Sequence, residues 1–168
     1  MYYDEIYPIA CGVVAALRPY SDRIEIAGSI RRKCSECGDI EVVWTPSIKG
    51  QWSAYELINS WHKVKGDAHG KYTQRILPEG CKLDLFRATP ENWGLIMAIR
   101  TGSAEFSHHT LACGWRKAGY ISHEGMLYNM GGGQDCALFR TGAPIPIKEE
   151  ADLFNLIGIN YIEPERRV

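Results

Sequence analysis

The chain has 168 residues, 45% of them hydrophobic and 23% charged, enough to bury one substantial core or a core with a small appendage. A formal net charge of −1 excludes a general polyanion binder, although Arg31, Arg32 and Lys33 form a local basic cluster. No apolar run reaches membrane-spanning length and no basic-then-apolar leader opens the chain. The expectation is therefore a cytoplasmic, intracellular protein with no membrane partner, whose six cysteines are reduced thiols.

Apolar residues Ile6, Ile9, Ala10, Val13, Val14 and Leu17 recur at helical spacing and predict a first helix over about 4–17. Arg23 to Ala27 alternates as a strand and leads into a glycine-started polar connection. Asp39 to Thr45 then reads as a second strand that Pro46 closes. Ser53-Ala54-Tyr55-Glu56 fits a capping box and predicts a helix running to about Lys63. Lys71 to Leu77 and Cys81 to Ala88 read as a hairpin around Pro78-Glu79-Gly80. Thr89-Pro90-Glu91 reads as a helix start, with the helix ending near Arg100 at Thr101-Gly102-Ser103. A further helix is predicted over 104–118, followed by strands around 120–122, 126–129 and 137–140. Gly131-Gly132-Gly133 reads as a flexible turn, and Glu149 to Leu156 as a last helix. A composition change near Thr101 predicts two domains, 1–100 and 101–168.

Chemistry gathers on the second strand. Strand side chains alternate faces, so Asp39 and Glu41 point one way while Ile40 and Val42 enter the core. Asp84, on the last strand of the hairpin with Leu83 and Leu85 on the opposite face, is a third strand carboxylate. Three such acids can coordinate two Mg²⁺ ions, or Mn²⁺ in their place, and paired ions serve in-line phosphoryl displacement. The Gly28-Ser29 turn suits the same chemistry: glycine lets backbone approach a triphosphate and the Ser29 hydroxyl can bind phosphate oxygens. Cys34-Ser35-Glu36-Cys37 has zinc-like spacing but lacks a second ligand pair. His108, His109 and Cys113 are the compact candidates for one, and nothing in the sequence brings them close. Lys71, Tyr72 and Arg75 read as exposed hairpin residues able to reach a nucleic acid or triphosphate, and Trp93 and Trp115 as core.

Gly28-Ser29-Ile30-Arg31-Arg32 followed by Gly38-Asp39-Ile40-Glu41-Val42 resembles the signature of the nucleotidyltransferase superfamily in its DNA polymerase beta-like, family X form. Lys82-Leu83-Asp84-Leu85 resembles the strand of the third acid, and Thr101-Gly102-Ser103 the palm–thumb junction. The stretch from Tyr161 to Arg167 resembles the C-terminal tail. The resemblance implies an α+β fold: a nucleotidyltransferase palm with a mixed sheet flanked by helices, plus a small C-terminal α/β thumb-like subdomain. It implies that Asp39 and Glu41 bind both metals and that Asp84 binds the catalytic one and helps activate the primer hydroxyl. Ser29 and Arg32 would hold the triphosphate, Gly28 and Gly38 would line it, and Thr101 and Gly102 would sit at the sugar end, with the Gly102-Ser103 bond cis. The implied activity is DNA polymerisation of the kind used in DNA repair, from a nucleoside triphosphate onto a primed or gapped DNA. Transfer to RNA, a protein or a small molecule, or silent nucleotide binding, are the alternatives.

Departures from the family pattern are specific. Glu41 stands where Asp is usual and is longer by one C–C bond, roughly 1.5 Å. Ile99-Arg100 replaces an aromatic pair that helps exclude ribose, which leaves Arg100 to contact a phosphate or the nucleotide. The chain begins just before the palm, without the DNA-gripping regions of fuller members, as in minimal polymerases of viral type.

Overall fold

The computed structural model describes residues 1–131 and 140–168. Two compact units, Met1–Ala88 and Thr89–Val168, make up the chain. In the first, helix α1 (Tyr3–Leu17) buries Ile6, Ala10, Val13, Val14 and Leu17 along one stripe, the period that sets it against the sheet. Strands β1 (Ser21–Ile26), β2 (Ile40–Pro46), β3 (His62–Lys65), β4 (Tyr72–Ile76) and β5 (Lys82–Arg87) form a five-stranded mixed sheet ordered β1-β2-β5-β4-β3. Only β2 and β5 pair in parallel; the other neighbours are antiparallel. Ile24, Ile40, Val42, Trp44, Leu83 and Leu85 share one core cluster with α1 and with Ala54, Tyr55 and Ile58 of α3 (Gln51–Ser60).

Several local readings change. The polar connection after β1 opens with a one-turn helix, α2 (Gly28–Arg31), too short to show a period in sequence. Asp39 lies one residue ahead of β2, not inside it. Helix α3 starts at Gln51 because Ser47, not Ser53, supplies the polar start: its Oγ accepts the Gly50 N–H at 3.0 Å. It stops at Ser60, and β3 follows as an edge strand with all four residues exposed, hence without the apolar alternation that reveals a strand. Asp84 keeps to the face opposite Leu83 and Leu85, yet it and Phe86 are buried, each at 7% exposure. Arg75, read as exposed, is fully buried and donates to the Ile58 and Gly66 carbonyls and to Asn59 Oδ1.

In the second unit, α4 (Trp93–Thr101) and α6 (Glu150–Leu156) pack together, joined by a close approach at Gly94. A Cβ on Gly94 would come within 2.2 Å of the Glu149 backbone. Leu95 and Ala98 of α4 lie in one core with Phe106, Leu111, Trp115, Leu127 and Phe154. That shared core places α4 in the second compact unit, Thr89–Val168. Helix α4 begins after Asn92, whose Oδ1 accepts the Thr89 N–H at 2.7 Å; Thr89-Pro90-Glu91 forms the turn before it.

A π-helix (Phe106–Ala112) runs into α5 (Cys113–Lys117), and Gly119, at φ 88°, ends the run. Strands β6 (Tyr120–His123), β7 (Met126–Met130) and β8 (Arg140–Ile145) make a three-stranded antiparallel sheet. Of the predicted strand at 137–140 only Arg140 falls among the described residues, and Gly132, Gly133 and Cys136 lie outside them. The last helix stands where the sequence puts it, as α6, with Glu149 as its N-cap donating its N–H to Asp152 Oδ2 at 2.8 Å. Trp93 and Trp115 are core residues at 1% and 7% exposure. Among the described residues no helix is long and apolar enough to cross a membrane, and the five described cysteines are free thiols.

Candidate active site

The sheet has two faces, and the one opposite the α1 core carries the acids. Register places Glu41 of β2 directly beside Asp84 of β5, with Val43 beside Phe86 one step on. Asp39, just before β2, joins them closely enough that the charge of Asp84 acts on it. Burial first, and the Asp84 carboxylate second, push the Asp39 carboxyl above its ordinary range, while Lys82 pulls the other way. The structure thus brings Asp39, Glu41 and Asp84 to one end of adjacent strands, as alternation and topology require.

Asp84 is held by the hairpin it belongs to. Gln74 sits opposite it in the β4–β5 register, and Gln74 Nε2 donates to Asp84 Oδ1 at 2.8 Å. The Tyr72 hydroxyl donates to the same oxygen at 2.8 Å, its ring stacked on Phe86 at 5.1 Å. Two donors on one oxygen fix the rotation of the carboxylate and direct its second oxygen for other contacts. Gln74 is a site residue that the sequence reading missed. Counting outward from the hairpin turn, where Ile76 faces Lys82, would have paired Gln74 with Asp84.

Glu41 finds its room at Gly28. A Cβ built on Gly28 would stand 1.9 Å from Glu41 Oε2 and 2.8 Å from its Cδ, and Gly28 has φ +63°. Glycine here therefore meets two demands, a left-handed backbone and space for the longer acid. Gly28→Ala is expected to cost about 1–2 kcal/mol in backbone strain and to swing the Glu41 carboxylate away. Urea denaturation measures the first effect, and a structure of the variant with Glu41 unmoved would refute the second.

Ser29 and Arg32 flank the same turn. Arg32 caps α2 with its N–H on the Gly28 carbonyl at 3.1 Å, and the Ser29 carbonyl accepts from Cys34 N–H at 3.0 Å. Both side chains are half-buried. Gly38 is exposed and a Cβ there would meet nothing within 4 Å, so packing does not require glycine at 38. Cys37 is buried and its thiol donates to the Cys34 carbonyl at 3.6 Å.

The remaining candidates, Arg100, Thr101 and Gly102, belong to the second unit. Arg100 is exposed, Thr101 fully buried and Gly102 buried. The Ser107 hydroxyl, donating to the Ile99 carbonyl at 2.8 Å, fills the space where a Cβ on Gly102 would stand, 2.4 Å away. Ser103 Oγ accepts the Phe106 N–H at 3.1 Å and so caps the following helical turn. Among the described residues no peptide bond is cis: Gly102 makes its turn through φ 20° and ψ −160°, and the expected cis bond after it is trans.

Three carboxylates on one face offer hard oxygen donors of the kind that Mg²⁺ and Mn²⁺ take. The raised Asp39 carboxyl fits that use, because a divalent cation would relieve the repulsion from Asp84. Residues 97–168 match the family model described as DNA polymerase beta thumb. A comparison with curated proteins finds no match for the chain. The thumb match extends from within α4 to the last residue, and it supports a relationship to polymerase beta-like proteins and a DNA-polymerase-related role.

Proposed function

We propose that the protein is a metal-dependent nucleotidyltransferase that adds a deoxynucleoside monophosphate from its triphosphate to a DNA 3′ hydroxyl, releasing pyrophosphate. The observation that carries this reading is the in-register Glu41–Asp84 pair with Asp39 beside it. The thumb match supports the choice of a DNA end as acceptor. In this reading residues 1–100 serve as palm and 101–168 as thumb, with the helix that ends at Thr101 carrying the junction motif.

Asp39 and Glu41 would hold two Mg²⁺ ions, and Asp84 the one nearer the primer. When bound, the ions supply Lewis-acid neutralisation of phosphate charge. The hydroxyl oxygen attacks the α-phosphorus as the bond to the bridging pyrophosphate oxygen breaks. Asp84 receives the hydroxyl proton at Oδ2, since Tyr72 and Gln74 already donate to Oδ1. Ser29 and Arg32 bind the departing phosphates, with Gly28 and Gly38 lining them.

The test is incubation with labelled dNTPs or rNTPs, Mg²⁺ or Mn²⁺, and primed, gapped or single-stranded DNA. Metal-dependent primer extension is the expected result. Transfer to RNA, protein or a small molecule instead would change the acceptor, and triphosphate binding without turnover would leave a silent binding module. Gly38→Ala separates ligand contact from folding. Stability is expected to stay within about 0.5 kcal/mol, as at unstrained surface positions, while triphosphate affinity falls several-fold. Unchanged affinity would remove Gly38 from the site.

A further inference from the structure

Three side chains of the second unit come together where α-helical spacing would separate them. An imidazole nitrogen of His108, one of His109 and the Cys113 Sγ lie within 4.8 Å of one another. The two imidazoles meet edge to face, ring centres 4.7 Å apart and planes at 89°. Both histidines are exposed and Cys113 is half-buried.

The backbone explains the grouping. On an ordinary α-helix residues five apart diverge by about 140° around the axis, so His108 and Cys113 would face different ways. Here the segment is wound as a π-helix, and the Cys113 N–H donates to the His108 carbonyl. That i→i+5 closure sets Cys113 one turn above His108 while His109, four residues away, stays beside it. Single π turns are uncommon and appear frequently at functional sites.

We propose that His108, His109 and Cys113 form a zinc site with a fourth position open to water or an outside ligand. Two imidazoles and a thiolate suit Zn²⁺ and not Mg²⁺, whose preference for oxygen assigns it to the separate carboxylate face. Tetrahedral zinc with bonds of roughly 2.0–2.3 Å needs donor atoms about 3.3–3.8 Å apart. The three donor atoms, within 4.8 Å of one another, would close to that spacing on loading, and the two histidines that would turn are exposed. Loading replaces the Cys113 S–H by a Zn–S bond and releases one proton to solvent. The ion would then staple the π turn to the first residue of α5.

Co²⁺ added to the full chain is the probe. A thiolate-to-cobalt charge-transfer band with tetrahedral ligand-field bands, displaced by one equivalent of Zn²⁺, is expected. Cys113→Ser should lose the charge-transfer band, and His108→Gln or His109→Gln should weaken zinc at least tenfold. The pair Cys34→Ser with Cys37→Ser should keep the full signal. Circular dichroism establishes that each variant is folded, and zinc should raise the melting temperature of the parent but not of Cys113→Ser. Absence of the band, its survival in Cys113→Ser, or its loss in the Cys34 and Cys37 variant would each overturn the site.

Discussion

Asp39→Asn is expected to abolish nucleotidyl transfer and, in the same molecule, to raise the melting temperature of the metal-free protein. The loss of activity should be at least on the order of 10²–10³-fold, the range produced by removing one preorganised electrostatic group. The gain in stability follows from the sign of the Asp39 shift. Burial and the facing Asp84 push its carboxyl above the ordinary range, with Lys82 a partial offset. An acid whose folded-state pKa is raised is held more easily protonated than ionised, so its contribution is most favourable below the unfolded pKa of about 3.9. That contribution is lost as pH rises through the folded value, and at neutral pH the charged Asp39 opposes folding. Asparagine removes the charge and keeps the shape. Mg²⁺ should raise the melting temperature of the parent and leave that of Asp39→Asn nearly unchanged. Thermal melts with and without Mg²⁺, beside the primer-extension assay, decide the matter. A variant that melts lower without metal, or that still extends primers at the parental rate, would show that Asp39 is a structural acid.

The acids were legible because strand alternation is a two-residue code that any neighbour can check. Glu41 and Asp84 are where that code puts them, on the face opposite Ile40, Val42, Leu83 and Leu85, and Asp39, one residue ahead of the strand, lies near enough to feel the Asp84 charge. What positions them was harder to read. Gly28 reads as a turn residue, but its second task, leaving room for the Glu41 carboxylate, depends on a strand thirteen residues further on in the chain. Ser53 satisfies a capping pattern that Ser47 fulfils in space, because Gly50 bends the chain one turn earlier. Arg75 looks like strand surface until the Ile58 and Gly66 carbonyls converge on it. His108, His109 and Cys113 were named from the sequence with no reason for them to meet; the π turn supplies it by bringing Cys113 over His108, a pair that an α-helical count separates.

Arg167→Ala is expected to cost about 3–5 kcal/mol, the cost of leaving one partner of a buried ion pair alone. The C-terminal tail suggested a family likeness, and the structure gives it a mechanical role within the second unit. Arg167 is fully buried. Its Nη1 donates to Glu150 Oε1 at 2.6 Å and its Nε to the Ile162 carbonyl at 2.9 Å. Its guanidinium lies 5.1 Å from the Phe154 ring, 5.3 Å from Tyr161 and 5.8 Å from Phe106. Among the described residues Nη2 has no hydrogen-bond partner, and ring faces take its place as neighbours. Removing the side chain therefore takes the guanidinium away from the Glu150 carboxylate, which is 9% exposed and also accepts from the Tyr161 hydroxyl at 3.4 Å, and empties the middle of an aromatic cluster. Pairing Arg167→Met with Glu150→Gln should recover most of the loss, because the buried charge is gone and the volume is kept. Urea denaturation gives the magnitude, and hydrogen exchange should place the weakening in residues 89–168. Equal instability in Arg167→Ala and the double variant would mean that the rings, not the ion pair, hold the tail; a loss under 1 kcal/mol would mean that neither does.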